Sequence, residues 1–343
     1  MIKLLVEVVI ILTIIAITQL VRVFELTSEL KADRSNDVTE KDNRMNARLM
    51  LTFLPIFFIF CLYWFVKYKK YFLPVSASES GVLTDELFNF NMLIITIVFV
   101  ITQFLLFWFA FKYYARKGTK AYYYPHNNKL EFAWTVIPAL ALSVIIIFGL
   151  RVWDKIMTPA DDAHSVVIEL YGQQFQWTAR YAGKDNVLGR TNYRLTDDAT
   201  NPLAMDSTDE KGWDDIIVRH EFHIPVNREI SFKFRSRDVI HSAYMPHFRA
   251  QMNVVPGMET MFHFKPTITT DQMRKITNNP AFDYILLCNK VCGASHYNMQ
   301  MNIVVDTEAD YEKWLSQQKP FYAAKLAAFE QSKLNASTSI AKK

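Results

Sequence analysis

Long apolar runs dominate the first 150 residues of the chain, and four of them contain no charged residue. They lie at residues 8–21, 49–66, 88–111 and 132–150. A helix needs roughly 18 or more apolar residues to cross a bilayer, a length that the last three runs reach. The first run is shorter and is typical of either a signal-peptide core or a spanning helix, but no small-residue cleavage site follows it. The pattern therefore predicts about four transmembrane helices, the first of them uncleaved.

The loop between the last two apolar runs predicts the orientation of the chain. Between residues 112 and 129 it has no acidic residue and five basic ones, namely Lys112, Arg116, Lys117, Lys120 and Lys129. Such loops stay in the cytoplasm. Everything after residue 150 is therefore expected outside, and four helices place both termini there.

After residue 151 the pattern changes to short alternating runs broken by Gly, Pro and Asn. Residues 229–235 alternate with period two and place Ile230, Phe232 and Phe234 on one face of a strand. Similar short strands are predicted at 166–171, 216–222, 261–265, 285–287 and 303–305. Many short strands separated by turns indicate a β-sandwich or Greek-key barrel. Residues 184–215 are predicted to be a long polar loop, and residues 308–333 one amphipathic helix before a polar tail.

Charge and cysteine content exclude two classes of protein. The net charge is +4 and is dispersed along the chain, so no nucleic-acid-binding surface is expected. The chain has three cysteines, and Cys61 lies within an apolar run. The protein is therefore not built on a disulfide framework.

One short stretch concentrates metal-binding side chains. Residues 288–299 read Cys-Asn-Lys-Val-Cys-Gly-Ala-Ser-His-Tyr-Asn-Met. Two thiols, an imidazole and a thioether are soft ligands that select copper, zinc or iron-sulfur chemistry. With an upstream histidine such as His241 the set matches an electron-transfer copper site, and the additional thiol of Cys288 favours two bridged metals.

Three other interpretations of this stretch are open. The two cysteines could form a disulfide in an oxidising compartment, or a tetrahedral zinc site with two histidines. The spacing would also place the four side chains on one face of a helix, although Gly293 and the β-type run at 284–287 disfavour a helix.

Four motifs in order resemble cytochrome c oxidase subunit II. Residues 288–299 resemble the copper A motif of this family, and residues 238–242 its upstream histidine motif. Residues 171–177 are similar to its aromatic signature, and residues 131–138 to the start of its last membrane helix. The resemblance implies a membrane anchor followed by an all-β, cupredoxin-like Greek-key domain.

The resemblance also implies a ligand set for two copper ions. The two cysteines would bridge the metals, two histidines would bind by imidazole, and a methionine and a backbone carbonyl would be weak ligands. These positions are Cys288, Cys292, His241, His296, Met299 and the carbonyl of Lys290. The chain would take electrons from a cytochrome c, or from a membrane-bound cytochrome c domain, and pass them to a haem in subunit I. That partner would reduce oxygen to water with proton pumping. No Cys-x-x-Cys-His motif occurs, so no c-type haem is expected in this chain.

The chain departs from the family pattern at several positions. Lys290 replaces a glutamate that helps to hold magnesium, and an ammonium group cannot bind a cation, so the magnesium site is not carried over. Phe175 stands where the family has the tryptophan through which the electron enters, while Trp177 keeps the second tryptophan of the signature. Asn253 and Met258 replace an aspartate and an arginine at the haem-facing surface.

Further expectations concern domains, protons and partners. Residues 1–70 form an additional helix pair, 86–151 the family hairpin, 152–306 the copper domain and 307–343 a helix with a tail. Glu131 and His126 match the mouth of a proton-uptake path, although a glutamate at a helix start is also typical of an interfacial residue. The expected location is a bacterial inner membrane, with the copper domain on the periplasmic side.

The partners that this interpretation implies are subunit I, other oxidase subunits and membrane lipid. The alternative function is a membrane-tethered copper carrier or assembly protein, which would need neither the aromatic signature nor Glu131. The acidic residues of the 184–215 loop are interpreted either as a solvated surface or as a docking patch for a basic cytochrome.

Overall fold

The chain is described by a computed structural model that covers residues 2–31 and 38–340. Four long helices occupy its first half: α1 (Ile2–Lys31), α2 (Glu40–Tyr68), α3 (Glu79–Lys112) and α4 (Asn128–Met157). All four are long and apolar enough to cross a membrane, which confirms the prediction of about four spanning helices. They extend beyond the charge-free runs because polar residues form their end turns. Thr39, for example, caps α2 in a capping box with Asp42.

The chain forms two compact units, and α3 contributes to both. One unit comprises the chain up to Lys69 together with Thr96–Asn127. Within it, α2 contacts the second half of α3 through aromatic rings, with centroid distances of 5.3 Å for Phe53 and Phe107 and 6.0 Å for Phe57 and Phe99. Such ring pairs contribute about 0.5–1.5 kcal/mol each beyond their buried area.

The second unit comprises Lys70–Ile95 and the chain from Asn128 onward. It holds the first half of α3, α4 and a β domain. The strands of this domain are β1 (Val166–Gln173), β2 (Gln176–Tyr181), β3 (Ile216–Val218), β4 (Glu221–Pro225), β5 (Ile230–Ser236), β6 (His241–Met245), β7 (Ala250–Val254), β8 (Thr260–Phe264), β9 (Tyr284–Cys288) and β10 (Gln300–Asp306).

The strands form two five-stranded sheets. Their orders are β3-β2-β1-β5-β8 and β4-β10-β9-β6-β7. The β1–β5 and β10–β4 pairs are parallel and the other pairs are antiparallel. Non-consecutive strands are neighbours in both sheets, so the chain crosses between them repeatedly. The expected all-β, cupredoxin-like domain is confirmed.

The core of the β domain contains apolar side chains from both sheets. Ile230, Phe232 and Phe234 of β5 are fully buried, as their period-two spacing predicted. The ring of Phe232 contacts Phe222 of β4, in the other sheet, at a centroid distance of 6.2 Å. Burying a large apolar side chain stabilises a fold by about 1.5–3 kcal/mol. These contacts therefore hold the two sheets together.

Two predicted elements are divided in the structure. The strand expected at 216–222 is two strands, because the chain passes from one sheet to the other at the exposed residues Arg219 and His220. The helix expected at 308–333 is also two, α6 (Glu308–Ser316) and α7 (Ala323–Ile340), with Pro320 between them. An additional helix, α5 (Thr270–Thr277), and the strands β2, β6 and β7 were not predicted.

The polar stretch 184–215 is a loop with two short 3₁₀ turns, but its last acidic residue is not solvated. Asp215 is fully buried, with its Oδ2 3.6 Å from Nη1 of Arg180. Burial raises the pKa of Asp215 to about 7, although Arg180 and the backbone N–H of Gly189 act in the opposite direction. Arg180 is shared with Glu169, whose Oε2 lies 2.8 Å from its Nε. The interpretation of this loop as a solvated surface is therefore wrong for Asp215.

Candidate metal centre

Three connections meet at one end of the β domain and carry the predicted ligands. They are the β1–β2 turn at residues 174–175, the β5–β6 connection at 237–240 and the β9–β10 connection at 289–299. His241 is the first residue of β6 and Cys288 is the last residue of β9. Because β6 and β9 pair with each other, the sheet brings these two residues together.

The two thiols face each other inside the protein. Both cysteines are free and buried, and their sulfur atoms are 3.8 Å apart. Two backbone hydrogen bonds fix the loop at its first cysteine: the N–H of Cys288 donates to the carbonyl of Met299 at 3.0 Å, and that of Asn289 donates to Ser242 at 2.9 Å. The sulfurs are thus held close together without a disulfide.

Each thiol has an imidazole of its own. Nδ1 of His241 lies 3.8 Å from Sγ of Cys288, and Nδ1 of His296 lies 3.5 Å from Sγ of Cys292. The ligand atoms of His241, Cys288 and Cys292 all lie within 4.8 Å of one another. His241 is fully buried, whereas His296 is partly exposed.

The two weak ligands expected from the family motif are also in place. Sδ of Met299 lies 3.8 Å from Sγ of Cys292, and the carbonyl oxygen of Lys290 lies 3.3 Å from Sγ of Cys288. Met299 is buried and Lys290 is exposed. The structure therefore brings together all six predicted ligand groups, in two sets around the two sulfur atoms.

The segment that carries these residues is not helical, so the interpretation as a helical core stripe is wrong. Within 289–299 only His296–Asn298 forms a short 3₁₀ turn. Gly293 has a φ of +139°, and a Cβ there would lie 2.8 Å from Cζ of Phe175 and 2.9 Å from Nε2 of Gln174. Glycine is thus required at this position by both backbone conformation and space.

A carboxylate that sequence reasoning did not assign a role supports the buried imidazole. Oδ1 of Asp238 lies 2.9 Å from Nε2 of His241, and Oδ2 accepts a hydrogen bond of 2.8 Å from the backbone N–H of Gln174. Burial acts to raise the pKa of Asp238, but these hydrogen bonds and one from Val239 outweigh it and lower the pKa. The anionic carboxylate favours a proton on Nε2, which leaves Nδ1 free to bind a metal. The Asp-x-x-His spacing was the signal for this role.

Gln174, in the β1–β2 turn, is hydrogen-bonded to both of the other connections. Its side-chain amide donates a hydrogen bond of 2.6 Å to the carbonyl of Cys292, while its backbone binds Asp238. The neighbouring Phe175 is half-buried and packs against the domain core. The two residues that follow β1 therefore contact the loop of both cysteines.

Trp177 closes the inner side of the site. Its ring is buried and meets the His241 ring edge-on at a centroid distance of 5.9 Å. A Cβ on Gly172 would lie 3.0 Å from Cδ2 of His241, so only glycine leaves room for the imidazole. Trp177 and Gly172 together hold the ring of His241 in position and keep water away from it.

The donor set fits copper. Burial, together with the adjacent thiol of Cys288, raises the pKa of Cys292 to about 11, so the thiolate needs a cation to stabilise it. Two sulfurs, two imidazole nitrogens and a thioether suit copper and exclude hard cations such as magnesium. Four of these groups would also suit zinc, but a structural zinc site does not use the thioether or the carbonyl.

Several other side chains that could bind metal or protons lie outside this cluster. Met245 and Met301 are buried in the domain core, and His247 packs its ring against Tyr284 at a centroid distance of 5.4 Å. These three side chains therefore contribute to packing. Burial lowers the pKa of His247 to about 4, and Arg249 acts in the same direction. Glu131 lies in the first turn of α4.

Comparison with known proteins gives matches to one family along most of the chain. Residues 66–152 match the model of the cytochrome c oxidase subunit II transmembrane domain, and residues 166–308 match that of its periplasmic domain. The alternative cytochrome c oxidase subunit 2 of Bradyrhizobium diazoefficiens is 33% identical over 267 residues, which cover 78% of this chain and 88% of the relative. Cytochrome c oxidase subunit 2 of Thermostichus vulcanus is 28% identical, with 74% of this chain and 80% of the relative covered.

Among solved structures, the periplasmic domain of subunit II of cytochrome oxidase of Bradyrhizobium japonicum matches with a TM-score of 0.31 and 22% identity, over 47% of this chain and 95% of that chain. Residues 1–65 lie outside both family models. The first relative shares a third of its residues with this chain over most of both lengths, and both domain models match in order. The chain therefore belongs to the cytochrome c oxidase subunit II family.

Proposed function

We propose that this chain is the electron-accepting subunit of a haem-copper terminal oxidase. It would take electrons one at a time from a cytochrome c and pass them to a haem of subunit I, which reduces oxygen to water with proton pumping. One observation carries the proposal: two buried thiols lie 3.8 Å apart, each beside its own imidazole. A carrier that only stores copper needs neither this paired arrangement of thiols and imidazoles nor the aromatic ring of Trp177 beside it.

Two copper ions are the cofactor that we propose for the site. Cys288 and Cys292 would bridge them, His241 and His296 would bind as imidazoles, and the carbonyl of Lys290 and the thioether of Met299 would be weak ligands. Bound copper supplies one-electron redox chemistry. Lys290 presents an ammonium group at the protein surface, so this position offers no carboxylate to magnesium.

The protein groups around the site would keep its geometry unchanged during electron transfer. Asp238 fixes the orientation of His241, and Gln174 fixes the backbone at Cys292. Trp177 and Met299 exclude water from the inner side. Because the ligands are held by hydrogen bonds and packing, few atoms need to move when the charge of the site changes.

We propose that the electron donor docks on an apolar surface around the cysteine loop and that the electron enters near Phe175. Ile240, Val291 and Tyr297 are exposed on the connections that carry the ligands, by 44%, 84% and 86% of their surface. Phe175 is half-buried beside Gly293 of the same loop. A donor with an apolar docking face, either a soluble cytochrome c or a membrane-bound cytochrome c domain, would cover these side chains.

Part of the acidic loop is not available to dock a basic cytochrome. Asp206 and Asp209 both lie near Arg190, with N–O distances of 3.6 Å and 3.4 Å, and Asp215 is buried. Glu210 is exposed. We therefore infer that apolar contact contributes more to docking than charge does.

We further propose a bacterial inner membrane as the location, with the β domain on the periplasmic side and lipid around the exposed apolar helices. Glu131, in the first turn of α4, would mark the mouth of a proton-uptake path, with His126 as its companion. The basic loop at 112–129 supports the cytoplasmic position of that mouth.

The experiment that tests the proposal is electron paramagnetic resonance of the full chain, purified and loaded with copper, together with a metal count. The expected result is two coppers per chain and the hyperfine pattern of one electron shared by two copper nuclei. A spectrum of a single copper, or zinc in place of copper, would overturn the proposal in favour of the copper carrier. The Cys292→Ser variant is expected to lose the shared-electron pattern.

A further inference from the structure

The segment before α3 is built into the β domain at the side of β6 away from the metal centre. Ala77 and Ser78 are fully buried. The N–H of Ala77 donates to the carbonyl of His247 at 2.7 Å, the N–H of Thr267 donates to the carbonyl of Ala77 at 2.8 Å, and the hydroxyl of Ser78 donates to the carbonyl of Phe248 at 2.8 Å. The start of the hairpin is therefore joined to the β domain by backbone hydrogen bonds.

Arg249 lies at the centre of this junction. Its Nε and Nη2 each donate a hydrogen bond of 2.8 Å to a different carboxylate oxygen of Asp85, in α3. Its Nη2 and Nη1 also donate to the carbonyls of Pro74 and Pro246, both at 2.6 Å. The side chain is only 9% exposed. The planar guanidinium thus forms a fork of two hydrogen bonds on one carboxylate, which constrains the relative orientation of the two groups as well as their distance.

The backbone of Arg249 is unusual for an arginine. Its φ is +53°, in the left-handed region that favours glycine. A Cβ on Gly81 of α3 would lie 3.2 Å from Cγ of Arg249 and 2.4 Å from Oγ of Ser76. The arginine thus occupies an unfavourable backbone conformation and is tightly enclosed, and its four hydrogen bonds to Asp85, Pro74 and Pro246 compensate for this.

One strand connects this junction to the metal centre. β6 begins at the proposed ligand His241, ends at Met245, and is followed by the turn that leads to Arg249. Its five residues span about 14 Å at 3.4 Å per residue, and pairing with β7 and β9 keeps the strand straight. If Arg249 moves relative to α3, β6 and His241 therefore move with it as one rigid unit, and the internal geometry of the metal centre is kept.

We propose that Arg249 is a positioning residue for electron transfer. By binding Asp85 through both carboxylate oxygens, it fixes the copper domain on the transmembrane hairpin and so fixes the ligands relative to the electron acceptor inside the membrane. This inference rests on the function proposed above. Without Arg249, the domain keeps its covalent link to α4, the hydrogen bonds at Ala77 and Ser78, and the contacts of Glu79 with Lys265. These attachments leave it more freedom to tilt.

The test uses the intact oxidase complex that contains this chain. Arg249→Gly removes the fork while suiting the left-handed backbone, and Arg249→Lys keeps the charge without the fork. Both are expected to leave the copper spectrum and the rate of reduction by the donor unchanged. Transfer from the copper domain to the haem should slow on the order of tenfold, because the loosened domain no longer holds the copper site at one fixed distance and orientation relative to the haem.

Two further variants make the result specific. Asp85→Asn should reproduce the slow transfer, and the double variant with Arg249→Gly should be no slower than either single variant, because one contact is removed in each case. Arg274→Met is the matched control, since Arg274 also binds carboxylates, those of Asp271 and Asp283 at 2.9 Å and 2.8 Å, but within the β domain alone. It should transfer electrons at the wild-type rate.

The outcomes separate this inference from the function on which it rests. If the wild-type complex showed no two-copper spectrum or no electron transfer, the proposed function would fail. If the wild type behaved as proposed and Arg249→Gly transferred electrons to the haem at the wild-type rate, only the positioning role would be overturned. Loss of the copper spectrum or of the assembled complex in both Arg249→Gly and Asp85→Asn would also overturn it, because the pair would then be needed for folding.

Discussion

Replacing Asp238 by asparagine tests the support of the buried imidazole. The carboxylate lies 2.9 Å from Nε2 of His241 and accepts a second hydrogen bond, of 2.8 Å, from the N–H of Gln174. Asparagine keeps the shape and one oxygen but removes the negative charge. Partners of this kind typically change metal affinity about 10- to 100-fold when mutated, which corresponds to about 1.4–2.7 kcal/mol. We expect copper affinity to fall within this range.

The assay is a competition between the copper-loaded full chain and a copper chelator, compared with the wild type. The chain offers a matched control, because Asp161 and His164 have the same Asp-x-x-His spacing and a distance of 2.6 Å. Their side chains are 66% and 86% exposed and lie outside the metal centre, so Asp161→Asn should leave copper affinity unchanged. Equal affinities for Asp238→Asn and wild type would refute the support of His241 by this carboxylate.

Three further predictions concern other parts of the chain. Met299→Leu should retain two coppers but raise the reduction potential by about 59 mV, whereas the buried control Met301→Leu should leave it unchanged. A redox titration followed by electron paramagnetic resonance measures both, and loss of copper would contradict the weak-ligand role. Burial raises the pKa of Asp215 to about 7 from 3.8. The unfolding free energy of the wild type relative to Asp215→Asn should therefore decrease as the pH rises from 4 to 7, by at most ~4 kcal/mol at 1.36 kcal/mol per pKa unit. A difference in unfolding free energy that does not change with pH would contradict this prediction. Glu131→Gln should slow oxygen consumption by the assembled oxidase without changing the copper spectrum, and an unchanged rate would exclude Glu131 from proton uptake.

The long helices and the cluster of soft side chains at 288–299 were predictable because their signals are local. A run of apolar residues identifies a spanning helix without any tertiary contact, and the spacing within 288–299 places soft ligands on one loop. β5 was found for a similar reason, since Ile230, Phe232 and Phe234 alternate with less buried positions near its end. An element whose two faces differ in polarity can be recognised from the sequence alone.

The strands that escaped prediction differ in their patterns. Trp177, Ala179 and Tyr181 of β2 alternate with polar residues, so the period-two pattern was present there and was missed. Four of the five residues of β6 are buried, and its sequence shows no strict alternation. The split of residues 216–222 between two sheets depends on partners distant in sequence. The second hydrogen bond of Asp238, from the backbone of Gln174 in the β1–β2 turn, likewise joins distant parts of the sequence and is not visible in local spacing.

The two imidazoles of the metal centre differ in their contact with solvent. His241 is enclosed by Trp177 and Gly172, whereas His296 reaches the surface beside the exposed Tyr297. Small molecules that attack or bind imidazole therefore approach this centre from the His296 side. Chemical modification with a histidine reagent, or inhibition by a small exogenous ligand, would begin at His296 and leave His241 untouched until the domain unfolds.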